Sequence, residues 1–395
     1  MLAPLGAMLK PVGRGALVCA AAVLLAACEP VAIGAGGGSS GPRVDTSQPV
    51  RVALLVPKGA GGGGGVVGRS LENAARLAVA DVQGAQIDLE VYDTQGTAAG
   101  ATAAANAAIA TGAQIILGPL YTQSTSAMVP VVADRNINVL SFSNNTAVAG
   151  GNIFILGQTF DSVANRLVSY ARREGRSSLA VVHAADTAGQ AGRDAIVSAA
   201  QRGGMSVATV QSYPLSQDGI TQAGPRIATA IEQTGADTVF LTANVDSDLP
   251  LVVTALPENG VNPAETRYLG LTRWNAAPQA LSLPGLQGGL FTLPDRSVQA
   301  QFESRYQAAY GSAPHPLAGL GYDAVQAVGA LLAQGRSDAL SARALTQGSG
   351  FSGASGIFRL LPNGTNQRAL AVAQVQNNQV VILDPAPKRF GGSGF

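Results

Sequence analysis

The chain is poor in groups that do covalent or metal chemistry. His183 and His315 are its only histidines, 132 positions apart, and its only cysteines are Cys19 and Cys28, both near the start. A zinc site of His and Cys therefore lacks ligands in the body of the chain. His183 closes an expected strand, where a satisfied structural imidazole is commoner than a catalytic one, and His315 lies between Pro314 and Pro316 in an expected turn. A serine nucleophile on a strand-turn-helix elbow needs G-x-S-x-G, and the nearest run, Gly350-Phe351-Ser352-Gly353, does not match. Gly63-Gly64-Gly65-Val66-Val67-Gly68-Arg69-Ser70 has the spacing of a phosphate loop, but Arg69 stands where that loop needs the compact charge of lysine. We read it as a flexible crossing at a cleft edge, where glycine permits close approach of backbone to a ligand. The expectation is a protein that is not an enzyme, with no catalytic residue, metal or cofactor.

What remains is a set of polar residues at the carboxyl ends of expected strands, where open α/β sheets bind ligands. Tyr121 and Thr122 follow the third strand; Ser141, Ser143, Asn144 and Asn145 follow the fourth. Asp186 and Thr187, Asn244 and Asp246, and Thr272 and Arg273 follow later ones. Helix N-termini in these loops also offer unpaired N–H groups to anions or carboxylates. Each of these residues is equally an N-cap or turn former, so only a minority is expected to face a cleft. Together they suit a small polar ligand held by hydrogen bonds.

The elements that must carry these residues alternate. Arg51–Val56 is an apolar strand, and Arg69–Val82 puts Leu71, Ala74, Ala75, Ala78 and Val82 on one helical face. Strands at Ile87–Tyr92, Gln114–Leu117, Asn138–Phe142 and near Phe154 alternate with helices at Ala98–Ala110 and Ser124–Asp134. The rhythm restarts with helices at Asp161–Arg173, Gly192–Gln201, Ile227–Gln233 and Leu249–Pro257, and strands at Leu179–His183, Ser206–Ser212, Thr238–Thr242 and Tyr268–Leu269. This is the pattern of parallel sheets covered by helices on both faces, and 395 residues suit two of them better than one. After Gly289 the pattern changes: helices at Val298–Tyr310, Gly319–Ala333 and Ser337–Leu345 come without a strand between them. Extended segments around the turn Pro362-Asn363-Gly364 predict a small antiparallel addition, with Pro385–Phe395 loose.

The first 28 residues read as a targeting device. Lys10 and Arg14 precede the apolar run Ala16–Ala27, which is too short to span a bilayer and has the order of a secretory signal. Leu25-Ala26-Ala27-Cys28 resembles the lipobox of bacterial lipoproteins, which implies lipid on Cys28, cleavage that leaves Cys28 as the first residue, and attachment to a membrane. Glu29 rather than Asp next to it implies the outer membrane of a Gram-negative cell, so the body is expected in the periplasm. Residues 29–48, rich in Gly, Ser and Pro, read as a flexible tether. Loss of the segment before Cys28 leaves 23 basic against 24 acidic side chains and Cys28, the acylation site, as the one cysteine, hence no disulfide. Charged residues make up 12% of the chain, too few and too balanced for a nucleic-acid footprint.

Ile115-Ile116-Leu117-Gly118-Pro119-Leu120-Tyr121-Thr122-Gln123-Ser124-Thr125 resembles the type I periplasmic binding proteins of the leucine/isoleucine/valine class. Asn138–Asn144, Gly321-Tyr322-Asp323-Ala324-Val325 and Phe351–Phe358 extend the likeness in the family's order, over Val50 to about Leu383. The resemblance implies an α/β fold of two Rossmann-like lobes with a central cleft and crossing hinge segments. It places residues 50–155 plus 288–345 in the first lobe and 156–287 plus 346–384 in the second, and it implies that Thr122 and the Ser141–Asn145 loop hold a ligand. Ala188 stands where amino-acid binders of this family place a tyrosine. With the lipobox, that departure resembles a second branch, the penicillin-binding protein activators similar to the C-terminal domain of LpoA-type lipoproteins. The expected function is then activation of a peptidoglycan synthase; the alternative is the receptor of an ABC permease for an amino acid or other small polar solute.

Overall fold

The structure of the protein, a computed structural model, describes residues 41–391. The chain opens with β1 (Val50–Val56), α1 (Gly63–Asp81), β2 (Ile87–Asp93), α2 (Ala98–Ala110), β3 (Ile115–Leu117), α3 (Thr122–Val132), β4 (Asn138–Ser141) and β5 (Ile153–Ile155). These five strands form one parallel sheet in the order β2-β1-β3-β4-β5. The period of two along β1 decides its layers: Val52, Leu54 and Val56 pack with Leu71 and Ala75 of α1, while Ala53 and Leu55 pack with Ala104 and Ala108 of α2 and Met128 of α3. A strand covered on both faces needs apolar side chains of both parities, which is why β1 reads as an almost unbroken apolar run.

The second part contains α4 (Phe160–Arg173), β6 (Ser178–Ala184), α5 (Thr187–Gly203), β7 (Ser206–Tyr213), α6 (Gln217–Thr234), β8 (Thr238–Leu241), α7 (Leu249–Glu258), β9 (Arg267–Gly270) and β10 (Leu290–Leu293). Ala180, Val182 and Ala184 of β6 face α6 and α7, and Leu179 and Val181 face α4 and α5. The chain continues through α8 (Arg296–Tyr310), α9 (Gly319–Leu332), α10 (Ala342–Leu345), β11 (Phe351–Gly353), β12 (Gly356–Leu360), β13 (Asn366–Arg368), β14 (Ala371–Gln376) and β15 (Gln379–Asp384). The second sheet runs β15-β14-β10-β9-β8-β6-β7, parallel from β7 to β10 and antiparallel at β14 and β15, and β11, β12 and β13 form a small antiparallel sheet. This is the expected α/β architecture of parallel-sheet lobes.

Three local expectations change. The four-residue run Leu290–Leu293, expected in the first lobe, is strand β10 of the second sheet, paired with β9 and β14, so the chain crosses at Pro294 rather than at residue 288. Phe351, Phe358 and Leu360, expected in the second lobe, are buried with Leu71, Leu320 and Ala324 in the core of the first. Both described ends, expected to be loose or flexible, are held: in 385–391 Arg166 donates to the Pro385 carbonyl, Lys388 pairs with Asp295 and Arg359 lies over the Phe390 ring, and in 41–48, the end of the expected tether, Val44 is buried in the first-lobe core with its N–H on the Ser337 carbonyl at 2.9 Å. Residues 392–395, Cys28, the signal segment and most of the tether lie outside the described residues. Among the described residues no helix is long and apolar enough to cross a membrane.

The first and third crossing segments are bonded to each other, and the second is bonded to the turn between β11 and β12. Asn366 donates to the carbonyls of Ile155 and Gly157 at 2.9 and 2.8 Å, Arg368 donates twice to that of Leu156, and the Asp295 N–H reaches the Ser355 carbonyl at 3.0 Å.

Candidate functional site

A cavity of about 820 Å³ lies between the two lobes. Its first-lobe wall begins where β3 ends. Gly118 there has φ +91°, and a side chain would overlap the Leu55 carbonyl, so only glycine lets the chain leave the sheet and start α3 with Tyr121 and Thr122 at the cavity. Phe142 and Asn144 after β4 complete that wall. The second-lobe wall is the turn after β9, from which Arg273 and Ala276 reach in, together with Leu370. Gly157, Gln158, Pro294 and Arg368 from the crossing segments form the floor with Ser355 of the β11–β12 turn, and Gln299, Phe302 and Glu303 of α8 a further side.

Of the polar residues singled out by sequence, Tyr121, Thr122, Asn144 and Arg273 line this cavity; the rest have other partners. Ser141 is buried and donates to the Pro119 carbonyl at 3.1 Å, with Thr125 Oγ1 at 2.8 Å. Ser143 sits behind Thr122, hydroxyl to hydroxyl at 3.1 Å, and accepts from the Asn145 N–H. Asn145 caps the short turn at Thr146–Val148 through the Ala147 N–H. Asp186 caps α5 by accepting from the Gly189 N–H at 2.8 Å, and Thr187 is the exposed first residue of that helix. Asn244 accepts from the Asp246 N–H within its own loop, and Thr272 donates to the Ala243 carbonyl at 2.8 Å. The loop after β8 is organised by buried Asp248, which accepts from Tyr213, Ser247 and the Asn244 N–H. Burial, with Asp248 beside it, pushes the Tyr213 phenol well above its ordinary pKa.

Charge in the cavity is mostly committed. Asp323 of α9 and Arg368 of β13 form an ion pair of 2.7 Å with side chains 2% and 8% exposed. The second Asp323 oxygen accepts from the Ala354 N–H, and the Arg368 guanidinium also lies 5.0 Å from the Phe358 ring centroid. Burial lowers the pKa of His315 below its ordinary value, leaving the ring neutral near pH 7, and its Nδ1 accepts from the Leu317 N–H. Glu303 is exposed at the side of the cavity and accepts from Gln299 at 2.6 Å. Arg273 is the exception. No protein group accepts a hydrogen bond from its guanidinium among the described residues, and its Nε is buried without a partner. Burial pulls its pKa down, and the charge of Glu303 opposes that.

Asp323, Arg368, Gln158 and Glu303 were not foreseen as cavity residues. They lie far apart in sequence, inside a helix, on a short strand and in crossing segments, so no local spacing pointed to them. Two features that resembled chemistry turn out to be packed. Ser70, in the glycine-rich run, is buried with its hydroxyl 3.0 Å from Tyr306 Oη and accepts from the His315 N–H at 2.9 Å. His183 is 5% exposed with Nδ1 2.7 Å from the Ala184 carbonyl oxygen. Among the described residues no group of three or more His, Cys, Asp or Glu is placed to hold a metal ion.

Similarity to known proteins agrees with this geometry. A putative branched-chain amino acid ABC transporter protein from Rhodospirillum rubrum is 18% identical, with a TM-score of 0.71 over 85% of this chain and 100% of the other. An ABC transporter substrate-binding protein from Desulfitobacterium hafniense, solved in complex with Leu, is 17% identical, with a TM-score of 0.59 over 85% of this chain and 100% of that one. An ABC transporter solute-binding protein from Rhodopseudomonas palustris BisB5, solved with 3,4-dihydroxybenzoic acid, is 15% identical, with a TM-score of 0.54 over 86% and 98%. At these identities the likeness is one of fold. An uncharacterized protein of Rickettsia prowazekii is 27% identical over 121 residues, which span 31% of this chain and only 32% of that relative. The family model described as periplasmic binding protein matches residues 49–379, most of the chain, and the chain belongs to that family.

Proposed function

We propose that this protein is a non-catalytic solute receptor of an ABC transporter, working in the periplasm and tethered by lipid on Cys28. The observation that carries the reading is the cavity between the lobes, about 820 Å³, a size that suits a small-molecule ligand. Its walls offer side-chain donors, apolar surface and one cation without a partner among the described residues. The fold neighbours with printed ligands, Leu in one and 3,4-dihydroxybenzoic acid in another, support a receptor for a small solute. Activation of a peptidoglycan synthase, the first expectation from sequence, rests on the lipobox and Ala188 and draws no support from these neighbours, so the receptor reading takes precedence.

The test is a thermal-shift screen of the purified protein against a broad library of small solutes. A receptor is stabilised by mass action, by about 2.7 kcal/mol at a solute concentration of a hundred times Kd. A flat response across the library, together with recovery of a peptidoglycan synthase by cross-linking in cells, would restore the activator reading.

A further inference from the structure

We propose that Arg273 anchors the ligand, and that the cleft selects a small organic acid with an apolar body over a zwitterion or a neutral solute. The inference deepens the receptor reading and rests on it.

Arg273 is half-buried, with its Nε fully shielded. Leaving a buried charged donor unpaired is costly, so such groups find acceptors. The other buried or half-buried arginines each have protein acceptors: Arg166 donates to the Leu370 carbonyl and pairs with Asp384, although its Nη1 is also buried without a partner, Arg267 donates to the Gly288 carbonyl, and Arg368 pairs with Asp323. Arg273 alone among them has no protein acceptor, and it lines the cavity. A guanidinium is a planar fork whose natural partner is a carboxylate, bound through two parallel hydrogen bonds.

The other charges set the sign of the site. Asp323 is spent on Arg368 and the Ala354 N–H, and Glu303 is exposed and held by Gln299, so no desolvated carboxylate remains to take an ammonium group. The polar loop residues of the second lobe that could have done so, Asp186 and Asp246, do not line the cavity. Leu120, Phe142, Phe302 and Leu370 supply apolar surface for the body of the molecule. Asn144, on the first-lobe wall opposite, has no side-chain partner among the hydrogen bonds of the described residues and is placed to meet the same ligand. Contacts to both walls would favour closure.

Matched probes separate charge from shape: 4-methylpentanoate, L-leucine and 4-methylpentanamide form one set, and 3-phenylpropanoate, L-phenylalanine and 3-phenylpropanamide another, run with the full chain inside the broad thermal-shift library. Stabilisation confined to monoanionic carboxylates is expected. In Arg273→Gln their affinity should fall roughly tenfold to a hundredfold, while the melting temperature without ligand holds or rises, because an unpaired buried charge has been removed. A residue needed only for structure would lower that temperature. Equal stabilisation by an acid and its amide or amino acid, or unaltered carboxylate binding by Arg273→Gln, overturns the inference and leaves the receptor reading standing. No response from any solute class removes the receptor reading and the inference together. If Arg273→Gln does not fold, the charge series on the unaltered protein still decides.

Discussion

Asp323 and Arg368 illustrate how charges at the wall of a cleft are spent on one another. The pair joins α9 of the first lobe to the strand that leads back toward the second, and Arg368 also holds the Leu156 carbonyl of another crossing segment. Removing one partner strands the other without water. Asp323→Asn should cost about 3–5 kcal/mol in urea unfolding, and a cost under 1 kcal/mol would show that the pair is solvated. Asp295, the N-cap of α8 at the second crossing, offers a test by pH. Burial would raise its pKa, but Lys388, Ser297 and the Val298 N–H outweigh it and hold the group at about 2. Its unfolded value is about 3.9. A depressed folded pKa means that the contribution is complete above the unfolded value and is lost as pH falls from about 4 toward 2. Asp295→Asn should flatten the stability curve in that window; an unchanged slope there would contradict the assignment.

The helices owe their positions to close packing at small residues. Gly321 opens α9 against α1, where a methyl group would overlap the Leu71 carbonyl oxygen. Gly321→Ala should therefore destabilise by about 1–3 kcal/mol, despite the better helix propensity of alanine, and a stabilised variant in chemical denaturation would refute this packing. Most such elements were legible, since long amphipathic or alternating runs report their own buried faces. The errors have physical causes. α5 begins at Thr187 and α6 at Gln217, ahead of the expected Gly192 and Ile227: Asp186 and Ser216 cap them, and the early part of each buried face is broken by glycine, with Pro225 also inside α6. β10 is only four residues long, and its strand character comes from its neighbours β9 and β14. The expected helix Ser337–Leu345 shortens to α10, with Ser341 as its cap.

Lobe architecture was readable from the restart of the strand-helix rhythm, whereas the cavity was only half readable. Strand ends predicted Tyr121, Thr122, Asn144 and Arg273, because parallel strands deliver their following loops to one edge. They equally nominated Ser141, Asp186 and Asn244, because the residues that suit a cleft also suit a cap or a turn. Gln158, Asp323 and Arg368 come together only when the chain crosses between lobes for the first and third time, a tertiary fact with no local signature. The first and third crossing segments are bonded to each other, so a motion about the crossings would move each lobe as a body and alter the cleft without unpacking either sheet. Small-angle X-ray scattering of the protein, with and without the solute that stabilises it most, tests this account most directly. Closure of the lobes over that solute should reduce the radius of gyration in a saturable way that tracks binding; a bound solute that leaves the scattering curve unchanged would contradict it.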